Sequence, residues 1–133
     1  QMLVYPATDA SKHHDSFTEN ADGPLLTVEV IEWFWSHYLG SASDFEVRND
    51  WRFSPAKAND HSGLAPAYIA TCSADPLRDE GNAYALQLSE AGVPVQHSLF
   101  EGQPHTLFQM FHVSEGAKDL IGECAMALKT ALG

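Results

Sequence analysis

Two polar side chains follow neighbouring apolar runs in this sequence, and together they have the types needed for proton transfer. Asp75 lies three residues after the run "PAYIATC", and His105 lies five residues after the run "VPVQHSLF". A carboxylate beside a histidine fixes the tautomer of the ring and stabilises the imidazolium that forms when the ring takes a proton from a nucleophile. Asp before Pro and His after Gly-x-Pro also occur in ordinary turns, so both interpretations stay open at this point.

The segment from residue 66 to residue 100 must position these two side chains, and its pattern is strand, helix, strand. The first run is rich in the β-branched and aromatic residues that favour strands. Asp79 is a predicted N-cap for the helix, which ends at Gly92. A right-handed parallel crossover is expected, and the carboxyl ends of parallel strands lie at one edge of a sheet. We therefore expect Asp75 and His105 to lie side by side.

Apolar periodicity predicts three more elements outside this unit. The run "MLVYP" reads as a buried strand, and a helix begins at an N-cap Thr27 and ends at Gly40. A closing helix runs from about Ser114 to Leu132. The apolar stripe of the first helix consists of Ile31, Phe34, Trp35 and Tyr38, and that of the closing helix of Ala117, Leu120, Ile121, Cys124, Ala125, Leu128 and Leu132. The predicted fold class is α/β, with about three parallel strands and flanking helices.

Charge and composition exclude several classes of partner. Eighteen acidic residues against seven basic ones give a formal charge of −11, which argues against nucleic acid and anionic membranes as partners. No run approaches the length of a membrane span. The first ten residues have no basic region and no long apolar core, so we predict no signal peptide and a cytoplasmic protein.

Cysteine and histidine usage gives little support for metal or redox chemistry. Cys72 and Cys124 lie in apolar patterns and are predicted to be buried free thiols, although the sequence leaves a disulfide open. His13, His14 and Asp15 could be metal ligands, but neighbouring histidines point in different directions and no further ligand has a helpful spacing. We expect no metal and no organic cofactor.

Several phrases of the chain resemble one enzyme family in the correct order. "SADPLRDEGNAYALQLSEAGVPV", "FEGQPH" and the closing amphipathic helix are similar to the C-terminal part of the hormone-sensitive-lipase-like α/β-hydrolases. "QMLVYPATDA", "ENADGPLLT" and "IEWFWSHYL" resemble the segment that follows the nucleophile in that family. The resemblance implies that Asp75 is the triad acid, that His105 is the catalytic histidine, and that the intact enzyme cleaves carboxylic esters of short or medium acyl chains. The order acid, then histidine, agrees with the α/β-hydrolase triad.

The sequence departs from the family pattern in three places. Thr106 stands where many members have glycine after the histidine, and neither a G-x-S-x-G elbow nor a His-Gly-Gly-Gly loop occurs. The resemblance places both missing motifs upstream of the part that matches Gln1. We therefore expect this chain alone to be inactive, as the segment that supplies the acid and the histidine. The alternative is a noncatalytic module, or a truncated fragment, that only self-assembles.

The resemblance also bears on substrate, partners and domain organisation. Phe34, on the helix that the family places beside the site, either lines the substrate pocket or is plain core. Arg78 and Glu80 are expected to be surface or locally paired residues. The partners implied are a small ester in the intact enzyme, and a second copy or the missing N-terminal part bound through a strand edge. We predict one partial domain over 1–133, with a strand, cap-like excursion and helix in 1–65 and the acid and histidine in 66–133.

Overall fold

A three-stranded parallel sheet forms the centre of the computed structural model, which describes residues 1–40 and 45–133. The strands are β1 (Met2–Val4), β2 (Ala67–Ala74) and β3 (Val95–Pro104), in the order β1-β2-β3. Both neighbouring pairs are parallel. The predicted parallel sheet with flanking helices is therefore confirmed.

Helices connect and cover the strands in the described part of the chain. They are α1 (Asp15–Glu19), α2 (Val28–Leu39), α3 (Phe45–Arg48), α4 (Arg78–Glu90) and α5 (Glu115–Leu132), with short 3-10 turns at Pro55–Lys57 and Leu107–Met110. Two of the predicted helix starts are explained by caps. The Thr27 hydroxyl accepts the Val30 N–H at 3.2 Å, and the Ser114 hydroxyl accepts the Ala117 N–H at 3.3 Å.

The central strand β2 alternates its side chains between two apolar layers, as the two-residue period of a strand requires. Ala67 and Ile69 pack on one face with buried residues of α4. Tyr68, Ala70 and Cys72 pack on the other face with buried residues of α5. Helices thus cover both faces of the sheet, which is the arrangement expected of a parallel sheet. Cys72 and Cys124 are buried free thiols, as predicted.

A third apolar cluster lies between the excursion after β1 and helix α2. Its buried residues are Ala10, Phe17, Leu26, Ile31, Trp35 and Leu77. Only half of the stripe predicted for α2 is in this core, because Phe34 and Tyr38 are 55% and 78% exposed. The stripe of α5 is likewise buried only in its first turns, and Leu128 and Leu132 are exposed. Amphipathic spacing located both helices but overstated how much of each apolar stripe is buried.

Within residues 1–40 and 45–133, no helix combines the length and the apolar character that crossing a bilayer requires.

Candidate active site

Asp75 and His105 meet at the carboxyl edge of the sheet. Ala74 of β2 pairs with Pro104 of β3, so the next residue of each strand is one of the two predicted side chains. The distance between His105 Nδ1 and Asp75 Oδ2 is 2.7 Å. The Asp75 side chain is 1% exposed and that of His105 is 17% exposed, so the carboxylate is buried and the imidazole keeps limited access to solvent. The structure thus brings the two residues together.

Both carboxylate oxygens of Asp75 are engaged. Oδ1 accepts the backbone N–H of Leu77 at 2.9 Å in a turn, and Oδ2 is bonded to the histidine. An ionised carboxylate can only accept, so Nδ1 of His105 must be the donor. Nε2 of a neutral His105 is then the unprotonated nitrogen, which is the one able to take a proton.

The excursion after β1 holds the loop that carries Asp75. The Ser16 hydroxyl donates to the carbonyl of Pro76 at 2.7 Å, and the Asn20 amide donates to the carbonyl of Asp75 at 3.3 Å. The first contact spans 60 positions of the sequence and the second spans 55. Sequence reasoning missed both residues, because a loop rich in Ser and Asn gives no local signal of the distant carbonyl that it contacts.

Asp79 is not the N-cap of α4, and that prediction was wrong. Leu77 occupies the cap position without a side-chain bond, and Asp79 lies in the first turn. Its carboxylate instead binds Arg78 and accepts the N–H of Ser16 at 2.8 Å. The hydrogen bond from Arg78 is the main cause that lowers the pKa of Asp79, against the opposing effect of burial. Arg78 also binds Glu19 at 2.8 Å, so it is a pairing residue as expected.

Glu80 is a buried residue, so the prediction of a surface or locally paired role was wrong. It is 2% exposed, and Oε1 accepts the N–H groups of Thr8 at 2.5 Å and Asp9 at 3.1 Å. Burial raises the pKa of Glu80 to about 7, although these two donors favour the ionised form. Glu80 therefore ties the start of the excursion to α4, beside the loop that carries Asp75.

Phe34, the predicted substrate-binding residue, is not a core residue. The residue is 55% exposed, and its ring contacts Trp33 edge-on with the ring centroids 5.2 Å apart. A role of Phe34 in binding substrate stays a prediction.

The two histidines considered as metal ligands point to different partners. His13 stacks on Phe17 at 4.4 Å, and His14 lies 3.6 Å from Asp9.

Thr106, which follows the histidine, has φ 65° and ψ 15°. This is the left-handed region, which glycine enters freely and a β-branched residue enters only with strain. The conformation gives a physical reason why glycine suits this position. The loop nevertheless places His105 within bonding distance of Asp75, so threonine does not prevent the expected geometry.

Thr106→Gly is expected to stabilise the chain. Removal of the left-handed strain gains about 1–2 kcal/mol, and the extra freedom of glycine in the unfolded chain returns about 0.5–1 kcal/mol. The net increase in the free energy of unfolding is then about 0.5–1 kcal/mol, measured by urea denaturation. Thr106→Ala is the matched control, since it shortens the side chain but keeps the Cβ that causes the strain. A glycine variant no more stable than the alanine variant would contradict the explanation.

Comparisons with known proteins identify the family and the fold to which this chain is similar. A protein-family model described as alpha/beta hydrolase fold matches residues 1–109. Ethyl acetate hydrolase of Pseudomonas putida is 38% identical over 119 residues, which is 90% of this chain and 36% of that protein. Carboxylesterase NlhH of Mycobacterium tuberculosis is 40% identical over 133 residues, which is 99% of this chain and 41% of that protein.

Solved structures give the same result for the fold. The crystal structure of a thermostable esterase from Pseudomonas putida has a TM-score of 0.90 and 35% identity, and the match covers 100% of this chain and 42% of that one. An α/β hydrolase from the metagenome of Lake Arreo has a TM-score of 0.87 and 38% identity, over 94% of this chain and 38% of that one. The chain thus spans about two fifths of the length of the relatives that it matches.

Proposed function

This chain belongs to the hormone-sensitive-lipase-like family of α/β-hydrolases, and from that membership we propose that it supplies the acid and the base of a serine carboxylic-ester hydrolase. The observation that carries the proposal is the 2.7 Å hydrogen bond between His105 Nδ1 and the buried carboxylate of Asp75. No G-x-S-x-G elbow occurs in these 133 residues, so the proposal places the nucleophile on a segment upstream of Gln1.

In the proposed reaction, His105 transfers protons and Asp75 stays ionised. Nε2 of His105 takes the proton of the serine hydroxyl as that oxygen attacks the ester carbonyl, and then gives it to the leaving alcohol. A water molecule, deprotonated by the same nitrogen, attacks the acyl-enzyme and releases the acid, and the serine oxygen takes the proton back from Nε2 as it leaves. The Asp75 carboxylate keeps Nδ1 protonated and offsets the positive charge that the ring gains.

The proposed substrates are small esters with short or medium acyl chains. Relatives named ethyl acetate hydrolase and carboxylesterase support this class. The exposed ring of Phe34 is the proposed apolar contact for the acyl or alcohol group. The upstream segment would join the sheet through a free edge of an outer strand, where backbone N–H and C=O groups are available for pairing.

Ester hydrolysis by the chain with and without a nucleophile tests the proposal. The gene is read upstream of Gln1, and the encoded protein is assayed beside the 133-residue chain with p-nitrophenyl acetate and butyrate. The protein that carries a G-x-S-x-G serine is expected to hydrolyse both esters, and the chain alone to show only the rate of the buffer. Hydrolysis by the chain alone that His105→Ala abolishes would overturn the assignment of the nucleophile to another segment. An inactive protein with a complete elbow would overturn the proposed function.

A further inference from the structure

We propose that Tyr5 is a positioning residue for His105, and that its ring holds the imidazole in the orientation in which Nδ1 meets Asp75. The centroids of the two rings are 4.5 Å apart and the ring planes are inclined by 57°. This is within the range of favourable tilted aromatic contacts. The role presupposes the proposed function, because it concerns the same site.

One hydrogen bond does not fix the plane of an imidazole. The bond from Nδ1 to Asp75 Oδ2 restrains one nitrogen, but the ring can still tilt about the line that joins the two atoms. Tilting moves Nε2, the atom that must reach the serine hydroxyl. A second contact on the ring removes this freedom, and Tyr5 provides it from a different segment of the chain. Positioning of this kind matters because small displacements of a base are costly in rate.

The backbone of Tyr5 has an unusual conformation that agrees with a positioning role. Its φ is 40°, which is an outlier for a bulky residue, and it precedes Pro6, which restricts the preceding residue to extended conformations. Such strain persists only where surrounding contacts over-determine the conformation, and it is concentrated at functional sites. Here the N–H of Tyr5 donates to the carbonyl of Ala70 at 2.7 Å, which ties the residue to the central strand.

The hydroxyl of Tyr5 provides a second anchor, on the turn that follows the histidine. It donates to Oε1 of Gln109 at 3.2 Å, in the 3-10 turn that follows His105. Tyr5 is therefore attached both to β2 and to the turn after β3, with its ring between the two attachments and against the imidazole. Substitution can separate the ring contact from the hydroxyl anchor, and the proposal assigns the effect to the ring.

Proton NMR of the 133-residue chain tests the contact directly. The carbon-bound ring protons of His105, assigned by their loss in His105→Gln, are expected to move towards their positions in an unstructured peptide in Tyr5→Leu. Tyr5→Asn repeats the test with a residue that tolerates positive φ, so the result does not depend on one variant folding. Tyr5→Phe keeps the ring and is expected to leave these resonances near those of the native chain. Tyr38→Leu is the matched control on α2, where the tyrosine ring stacks on Phe53.

Steady-state kinetics of the complete hydrolase give the functional readout. Tyr5→Leu and Tyr5→Asn are expected to lower kcat by about tenfold to 100-fold. KM is expected to stay within roughly twofold, because the effect is on the reacting geometry and not on uniform binding of the ester. Tyr5→Phe is expected to keep most of the native kcat. A purely structural role would not separate kcat from KM in this way, and the phenylalanine variant distinguishes the ring contact from the hydroxyl anchor.

Two results would overturn the proposal. The first is that both variants that lack the ring keep either the native His105 resonances or the native kcat. The second is a phenylalanine variant as impaired as the leucine variant, which would assign the effect to the hydroxyl. If Asp75→Asn lowers kcat in the same protein and Tyr5→Leu does not, the role of Tyr5 fails while the proposed function stands. If Asp75→Asn has no effect, the proposed function fails, and the NMR result alone decides whether Tyr5 orients the ring.

Discussion

Asp75→Asn is expected to lower the kcat of the complete hydrolase for p-nitrophenyl esters by about 10⁴-fold, the effect that the loss of an orienting carboxylate produces. Asparagine is nearly isosteric and can still accept the N–H of Leu77 through its amide oxygen. Its amide nitrogen then faces Nδ1 of His105 and donates to it. The imidazole is held in the wrong tautomer, with the proton on Nε2, and cannot accept the proton of serine.

The carboxylate of Asp119 provides the control for this loss of one charge. It is exposed on α5, and Asp119→Asn is expected to leave kcat unchanged within about threefold, as for surface substitutions in general. Circular dichroism establishes that both variants are folded. Native kcat in Asp75→Asn, or an equal loss in Asp119→Asn, would contradict the assignment of Asp75 as the residue that orients His105.

The contribution of Glu80 to the free energy of unfolding is expected to fall as the pH rises, because this carboxyl binds a proton more tightly in the folded chain. The ordinary pKa of 4.5 applies to the unfolded chain, and burial raises the pKa of Glu80 to about 7 in the folded one. Between these two values the folded state holds a proton that the unfolded state has released. Folding is then favoured at the acid end of this window and loses on the order of 3 kcal/mol as the pH rises through it.

Glu80→Gln isolates this contribution. Glutamine keeps an oxygen that can accept the N–H groups of Thr8 and Asp9, but it does not titrate. Urea unfolding of both proteins is measured between about pH 4 and about pH 8. As the pH rises over this range, the free energy of unfolding of the variant should increase relative to that of the native chain by on the order of 3 kcal/mol. Other titrating groups cancel in this difference. Glu90→Gln removes an exposed carboxylate from the end of α4 and is the control, because it must not produce this pH-dependent change in stability. If the difference in free energy of unfolding between Glu80→Gln and the native chain does not depend on pH, the two N–H donors keep Glu80 ionised throughout.

The sequence by itself determined the three strands, the three longer helices and the two residues at the centre of the candidate site, whereas the short helices α1 and α3 were not predicted. The apolar runs located β1, β2 and β3, and Thr27 and Ser114 marked the first turns of two helices. These features depend on side chains within a few positions of one another. The placement of Asp75 beside His105 needed one further rule, that parallel strands end at the same edge of a sheet.

Only the tertiary structure decided which neighbouring residues support that pair. Glu80 looked like a surface residue, yet its carboxylate binds the backbone of Thr8, 72 positions away. Tyr5 looked like the end of a strand, yet its hydroxyl binds Gln109, 104 positions away. Phe34 belonged to an apolar stripe, yet the helix turns it towards solvent. Local sequence patterns do not encode which distant segment will cover a residue, because that depends on how the excursion after β1 packs against α4 and the sheet.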